Sequence, residues 1–153
     1  MVETGSNTAA SSLVRGFRAV LRIGAALLFM QHGAQKLLGW FGGMGEGATA
    51  ELFTLMGLAG VIELVGGLLL LIGLLTRPVA ALAAVEMVVA YFMAHMPQGG
   101  FPIENQGELA LLYALIWAYI AVAGAGPASV DDVLARRGTE APARTAEPSP
   151  TAP

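Results

Sequence analysis

The 153-residue chain contains no cysteine and few charged residues. The absence of cysteine excludes disulfides, thiolate metal sites, covalently attached c-type haem and Cys-ligated iron–sulfur clusters. Any redox chemistry must therefore use a bound cofactor or a partner protein. Charged residues make up only 12% of the chain, and the formal net charge of −3 at pH 7 provides no broad basic surface. We therefore expect no nucleic-acid partner.

Apolar residues are abundant instead: 56% of the chain is hydrophobic, and it contains 20 glycines. That composition is typical of a protein embedded in a lipid bilayer. A helix needs about 20 residues to cross the hydrocarbon core, so the chain has room for about four crossings and no separate soluble domain. The apolar segments cover about residues 14–39, 52–75, 78–96 and 107–125. They predict an all-α fold, a four-transmembrane-helix bundle.

The predicted membrane domain covers residues 13–137 and is flanked by two tails. Residues 1–12 are small and polar, and residues 138–153 are rich in alanine, proline and threonine. Neither segment can bury enough apolar surface to offset the entropy lost on ordering, so we predict that both tails are disordered. The first apolar segment is expected to remain attached rather than act as a cleaved signal peptide, because no convincing small-residue cleavage site follows it.

Two short connections give local signals. Thr76-Arg77-Pro78 leaves so little chain between the second and third helices that they must form an antiparallel hairpin, with Thr76 as the predicted N-cap. Residues 105–108, Asn-Gln-Gly-Glu, resemble a capping box in which Asn105 begins the fourth helix.

The basic residues predict an orientation. Seven of the eight fall on one side of the predicted bundle: Arg15, Arg18, Arg22, Arg77, Arg136, Arg137 and Arg144. Only Lys36 falls on the other side. Since basic residues accumulate on the cytoplasmic side of membrane proteins, we expect both termini to be cytoplasmic.

Ionisable side chains within the apolar segments are rare, and each is costly at the bilayer centre unless it is paired, hydrated or neutralised. Counted from the outer side at about 1.5 Å per residue, His32 lies about 9 Å deep, Glu63 about 12 Å and Glu86 about 15 Å. The two glutamates belong to one hairpin and would repel each other, unless Lys36, His32 or Arg22 neutralises one of them. The candidate site consists of the polar residues that converge on this outer half: His32, Gln35, Lys36, Glu63 and Glu86.

Three interpretations of this cluster stay open. It is a polar lock that fixes the register of the helices, a quinone pocket in which His32, Glu63 or Glu86 exchanges protons, or a path for protons or a solute. Two histidines on different helices are also the ligand set of a b-type haem. His32 and His95 differ in depth by about 7 Å, however, so we expect no haem and no metal site.

Several strings carry a family resemblance. They are His32–Gly43 (HGAQKLLGWFGG), Glu63–Gly67 (ELVGG), Gly73–Arg77 (GLLTR) and Gly124–Asp131 (GAGPASVD). Together they resemble the DoxX family of small bacterial membrane proteins over about residues 16–132. Ala125 stands where the family pattern has proline. In the last string, Ser129 and Asp131 are expected to cap a short helix over residues 130–137.

The resemblance implies a multi-pass protein of the bacterial plasma membrane. It also implies a membrane subunit of a quinone-linked oxidoreductase, of the thiosulfate:quinone type or a related redox complex, with a redox partner protein. The alternatives are a non-catalytic scaffold for a soluble redox or oxidative-stress enzyme, and a small proton-coupled transporter. The resemblance transfers no catalytic residues, and it leaves open whether the chain is an enzyme by itself or forms a homo-oligomer.

Overall fold

The computed structural model describes residues 4–140, and the side chains of residues 9–138. Within that range the chain forms five helices and no strand, so the all-α prediction is confirmed. The helices are α1 (Thr4–Leu38), α2 (Leu55–Ile72), α3 (Thr76–Gln98), α4 (Glu108–Ala123) and α5 (Val130–Glu140). A short 3₁₀ turn, Trp40–Gly42, follows α1.

The ends of the helical region differ from the sequence prediction. Helix α1 begins at Thr4, so residues 4–12, predicted to be disordered, are helical. This segment contains Ala9 and Ala10, and extending an existing helix through alanine requires no new nucleation. At the other end, α5 continues to Glu140, three residues into the predicted C-terminal tail. Residues 1–3 and 141–153 of the predicted tails lie outside the described residues.

Helices α2 and α3 are the two helices in residues 4–140 that are both long enough and apolar enough to cross a membrane. Helix α4 is also apolar but has only 16 residues. Large apolar side chains point outward along the helices, among them Phe17, Leu28, Val65, Leu115 and Val122. Exposed apolar surface of this extent is unfavourable in water and suits contact with lipid.

The helices pack in two extensive pairs, α1 along α2 and α3 along α4. Glycine in α2 allows α1 and α2 to pack closely, because a Cβ atom on Gly60 would lie 2.8 Å from Leu37 Cγ. Gly33 of α1 faces α2 in the same way, with a built Cβ atom 2.7 Å from Leu64 Cβ. Between the pairs lies an aromatic core, in which the Phe29 ring centroid is 5.4 Å from that of Trp117. The α2–α3 hairpin, which the short connection at Thr76-Arg77-Pro78 predicts, is packed less extensively than either pair.

Two of the helices contain a π turn, in which one extra residue is accommodated. The first covers Ile62–Gly66 in α2, and the second covers Tyr91–His95 in α3. Such turns interrupt the regular hydrogen-bond ladder, change the direction of the side chains and often occur at functional sites. Glu63 lies in the first turn and His95 in the second.

Two predicted caps are replaced by other contacts. The N-cap of α3 is Leu75, and the amide groups of Leu75 and Thr76 donate to the Asp131 carboxylate at 2.9 Å each. Asn105 does not cap α4; its Oδ1 accepts from the Gly107 amide at 2.9 Å, which forms a local turn instead. In α5 the predicted Ser129 cap is confirmed, since Ser129 Oγ accepts from the Asp132 amide at 3.2 Å.

Candidate functional site

A buried ion pair joins the last turn of α1 to the π turn of α2. Lys36 Nζ donates to both carboxylate oxygens of Glu63, at 2.6 Å each. Glu63 is only 2% exposed and Lys36 is 19% exposed, so the pair has little contact with solvent. Of the partners that the sequence left open for Glu63, the structure selects Lys36.

This ion pair lies on the wall of a cavity of about 700 Å³. Four of the five predicted site residues line that cavity: His32, Lys36, Glu63 and Glu86. Gln35 is half-buried and is not among the lining residues. The volume falls within the range of about 300–1,000 Å³ that is usual for small-molecule sites.

Most of the remaining wall is apolar and belongs to α2 and α3. Its exposed members lie at the outer surface of the bundle: Leu55, Met56, Leu58, Leu82, Val85, Val89 and Met93. The cavity is therefore lined by the two helices of the loosely packed hairpin and borders the surface that would face lipid. An apolar ligand could reach it sideways from a bilayer.

Glu86 contributes an unusual polar atom. Its Oε2 is buried and has no hydrogen-bond partner among the described residues. A buried carboxyl oxygen without a partner is energetically costly, and native proteins rarely keep one without a role. Because Glu86 lines the cavity, the free oxygen is a candidate contact for a ligand or a proton.

Tyr113 also lines the cavity, and the sequence interpretation missed it. Its ring meets the His32 ring edge-on, with centroids 6.0 Å apart. A signal was present in the sequence: Ala110, Tyr113, Ala114 and Trp117 recur at helical spacing, and the structure buries them on one face of α4. The Tyr113 phenol adds a neutral hydrogen-bond donor to the cavity wall, where the predicted site residues are ionisable acids and bases.

The second histidine lies on the same wall. His95 Nδ1 is 3.1 Å from the carbonyl oxygen of Asn105, and its ring stacks on Tyr91. Both histidines line the cavity. The described part of the chain contains no group of three or more His, Cys, Asp or Glu residues arranged to hold a metal ion.

The opposite end of the bundle is organised by Arg22. Its guanidinium group is fully buried and donates to the carbonyl oxygens of Leu70, Leu71, Ala125 and Ala128, at 2.6–2.9 Å. Arg22 therefore satisfies backbone groups at the carboxyl end of α2 and in the loop after α4. The sequence analysis left Arg22 open as a partner for Glu63 or Glu86. That pairing is wrong, because the Arg22 guanidinium group donates to backbone carbonyl oxygens instead.

Asp131 lies beside this guanidinium group and is outside the apolar helices. Burial raises the pKa of the Asp131 carboxyl. Hydrogen bonds from Thr76 and Leu75 and the charge of Arg22 together lower the pKa by more than burial raises it, so it lies below its ordinary value. The carboxylate is therefore ionised at neutral pH. Since it accepts from the first amides of α3, it also stabilises the positive end of that helix dipole.

Comparison with known proteins places these features in a family. Residues 17–96 match the DoxX family model. The chain belongs to the DoxX family. An uncharacterized protein of Haemophilus influenzae is 46% identical over 121 residues, which cover 76% of this chain and 89% of that protein. No solved structure matched the chain.

The matched DoxX region contains most of the cavity but not all of it. It includes α1 from Phe17 onward, α2 and nearly all of α3, and therefore Lys36, Glu63 and Glu86. Tyr113 lies beyond it. DoxX proteins are associated with membranes, in agreement with the exposed apolar helices, and this chain is accordingly a DoxX family membrane protein.

Proposed function

We propose that this DoxX protein is a membrane subunit of a quinone-linked oxidoreductase and binds quinone in the cavity beside Lys36 and Glu63. The observation that carries the proposal is a mostly apolar cavity of about 700 Å³ whose polar groups are concentrated in one cluster. The cluster contains the Lys36–Glu63 ion pair and the unpartnered oxygen of Glu86.

The residues present suit a quinone. Its headgroup carries carbonyl oxygens that need hydrogen-bond donors, and the chain offers Lys36, His32 and Tyr113 on the cavity wall. Its isoprenoid tail needs an apolar path, and the exposed residues of α2 and α3 provide one that opens toward lipid. When bound, a quinone accepts electrons together with protons.

Each polar residue has a role in this arrangement. Glu63 holds the Lys36 ammonium group in place, so that its position does not depend on the ligand. Glu86 carries a proton at an oxygen that has no hydrogen-bond partner among the described residues. His32 donates or accepts a proton at its ring, against which Tyr113 packs. Because the chain has no cysteine, we assign the electron donor to a partner protein.

A structural role for the same cluster has its own support. The Lys36–Glu63 pair joins α1 to α2 through two short hydrogen bonds, which is what a polar lock requires. In that case the protein would be a non-catalytic membrane scaffold that holds a soluble redox enzyme. A measurement of quinone binding distinguishes the oxidoreductase subunit, which should bind quinone, from the scaffold, which need not.

Quinone retention tests the proposal, with Tyr113→Phe as the informative variant. The protein is purified in mild detergent, its organic extract is examined by mass spectrometry for quinone and haem, and binding of a short-chain ubiquinone is then titrated. We expect the wild type to retain quinone. Loss of the Tyr113 hydroxyl should weaken the titrated affinity about five- to tenfold, because one hydrogen bond to the headgroup is lost.

Tyr119→Phe is the matched control, because Tyr119 lies on the same helix, is exposed, and does not line the cavity. It should bind like the wild type. A wild-type protein that neither retains nor binds quinone would contradict the proposal and favour the scaffold. Equal affinities for the two variants would place the headgroup elsewhere.

We also propose that the chain crosses the bacterial plasma membrane four times, with both termini cytoplasmic. The support is that Arg22 contacts residues beside α5, and Arg77 contacts the end of α4, so the arginines collect at one end of the bundle. Lys36 lies near the other end of α1. Such asymmetry sets orientation in membrane proteins.

The cysteine-free chain makes this orientation easy to check. Ser12→Cys places a single thiol in the first half of α1, and Ala48→Cys places one in the loop after α1; both positions are exposed. With a membrane-impermeant maleimide on intact spheroplasts, we expect Ala48→Cys to be labelled and Ser12→Cys to be labelled only after lysis. The reverse pattern would invert the proposed topology.

A further inference from the structure

A second cavity, of about 650 Å³, lies at the arginine end of the bundle, between α1, the loop after α4 and α5. We call it the arginine cleft. Its charged lining residues are Arg15, Arg18, Arg77, Arg136, Asp131 and Asp132. The arginines outnumber the aspartates, which gives the cleft a formal excess of two positive charges.

The two aspartates are already engaged. The Asp131 carboxylate accepts from the amides that begin α3, and Asp132 forms an ion pair with Arg136 at 2.9 Å. Neither carboxylate is paired with Arg15, Arg18 or Arg77. The positive charge of these three arginines is therefore not neutralised by the described residues.

Two of the arginines are held in position by the backbone. Arg18 donates to the carbonyl oxygen of Ala123, and Arg77 donates to that of Val122 at 2.8 Å. Both acceptors belong to the last turn of α4, whose free carbonyl groups attract guanidinium groups. A rigidly held guanidinium group loses less entropy when it binds an anion.

The loop after α4 packs closely against these arginines. Gly124 and Gly126 have φ values of +81° and +75°, which favour glycine. A Cβ atom on Gly126 would lie 3.1 Å from Arg18 Nε, and one on Gly124 would lie 3.4 Å from Arg77 Nη2. Arg18 Nε is buried and has no acceptor among the described residues. Arg18 therefore keeps an unsatisfied donor beside the cleft, because glycine supplies no side-chain acceptor there.

We propose that the arginine cleft binds the phosphate group of an anionic phospholipid. Guanidinium groups bind phosphate oxygens through paired hydrogen bonds, and basic pockets at the ends of membrane helices are suited to lipid headgroups. Apolar side chains of α1 adjoin the arginines and are largely exposed: Leu13, Val14 and Phe17. They offer a surface for acyl chains, which a free phosphate ion would not need.

The test compares Arg15→Gln with Arg137→Gln. Both variants remove one positive charge from an exposed arginine at the same end of the bundle, but only Arg15 lines the cleft. The Arg15 side chain makes no hydrogen bond or ion pair with a described residue, so its replacement should not disturb the fold, and circular dichroism checks this. Binding of phosphatidylglycerol is measured in detergent by native mass spectrometry, with phosphatidylcholine and inorganic phosphate alone as separate arms.

We expect phosphatidylglycerol to bind more tightly than phosphatidylcholine. Arg15→Gln should weaken that binding about fivefold, and Arg137→Gln should leave it unchanged. Competition by inorganic phosphate at similar concentration would support the anion site but assign it to free phosphate. Equal weakening by both variants would show general surface attraction and overturn the proposal, as would equal binding of the two lipids.

Discussion

Replacing Arg22 by leucine is expected to cause the largest loss of stability of any single substitution in this protein. The buried guanidinium group satisfies four carbonyl oxygens, on Leu70, Leu71, Ala125 and Ala128. Leucine can donate to none of them. If each abandoned carbonyl costs about 1–3 kcal/mol, the free energy of unfolding falls by at least about 4 kcal/mol. We expect the variant to accumulate poorly and to aggregate on mild heating in detergent, measured by fluorescence-detected gel filtration.

Two controls interpret that result. Arg137→Leu removes an exposed arginine from α5 and should leave the melting temperature nearly unchanged. Arg22→Lys keeps the charge but loses the planar fork, so its stability should fall between the leucine variant and the wild type. A melting temperature for Arg22→Leu within a few degrees of the wild-type value would contradict the view that this side chain joins the helix ends.

Replacing Lys36 by methionine is expected to destabilise the bundle through the charge it leaves behind. Glu63 is almost fully buried and has Lys36 as its hydrogen-bond partner, so the variant would retain an unpaired carboxylate in an apolar region. Breaking a buried pair in this way costs about 3–5 kcal/mol. The drop should be visible as a lower melting temperature in detergent.

The double variant Lys36→Met, Glu63→Leu separates stability from ligand binding. An apolar pair of similar volume often replaces a buried ion pair without loss of stability, so the melting temperature should recover. The titrated affinity for short-chain ubiquinone should not recover, because the ammonium donor is absent. Recovery of both properties would show that the pair is a lock alone, and failure of the melting temperature to recover would contradict the assumed energetics.

The sequence predicted the helices well because apolar segments of the right length have few alternatives. It also brought together His32, Lys36, Glu63 and Glu86, since depth along a helix follows directly from residue number. Gln35 was included for its position in the chain, but it lies about 100° around the helix from Lys36, and the structure leaves it outside the cavity. His32 and Lys36, one turn apart, share the face that lines it.

Other features depend on contacts between distant parts of the chain. Asp131 caps a helix that begins 55 residues earlier, and no local pattern reveals that partner. The π turns of α2 and α3 likewise have no sequence signature, although one of them places Glu63 toward Lys36. The cavity lies along the less extensively packed α2–α3 hairpin, and the short connection Thr76-Arg77-Pro78 does not determine how closely the two helices pack.

The contacts of Arg22 have a consequence for how the protein is made. Arg22 belongs to the first helix, but it donates to Ala125, which is translated 103 residues later. Throughout synthesis of α2, α3 and α4, part of the guanidinium group therefore lacks its final acceptors. The bundle can be completed only when the loop after α4 has left the ribosome, so Arg22 gains all of its acceptors only after α4 has been synthesised.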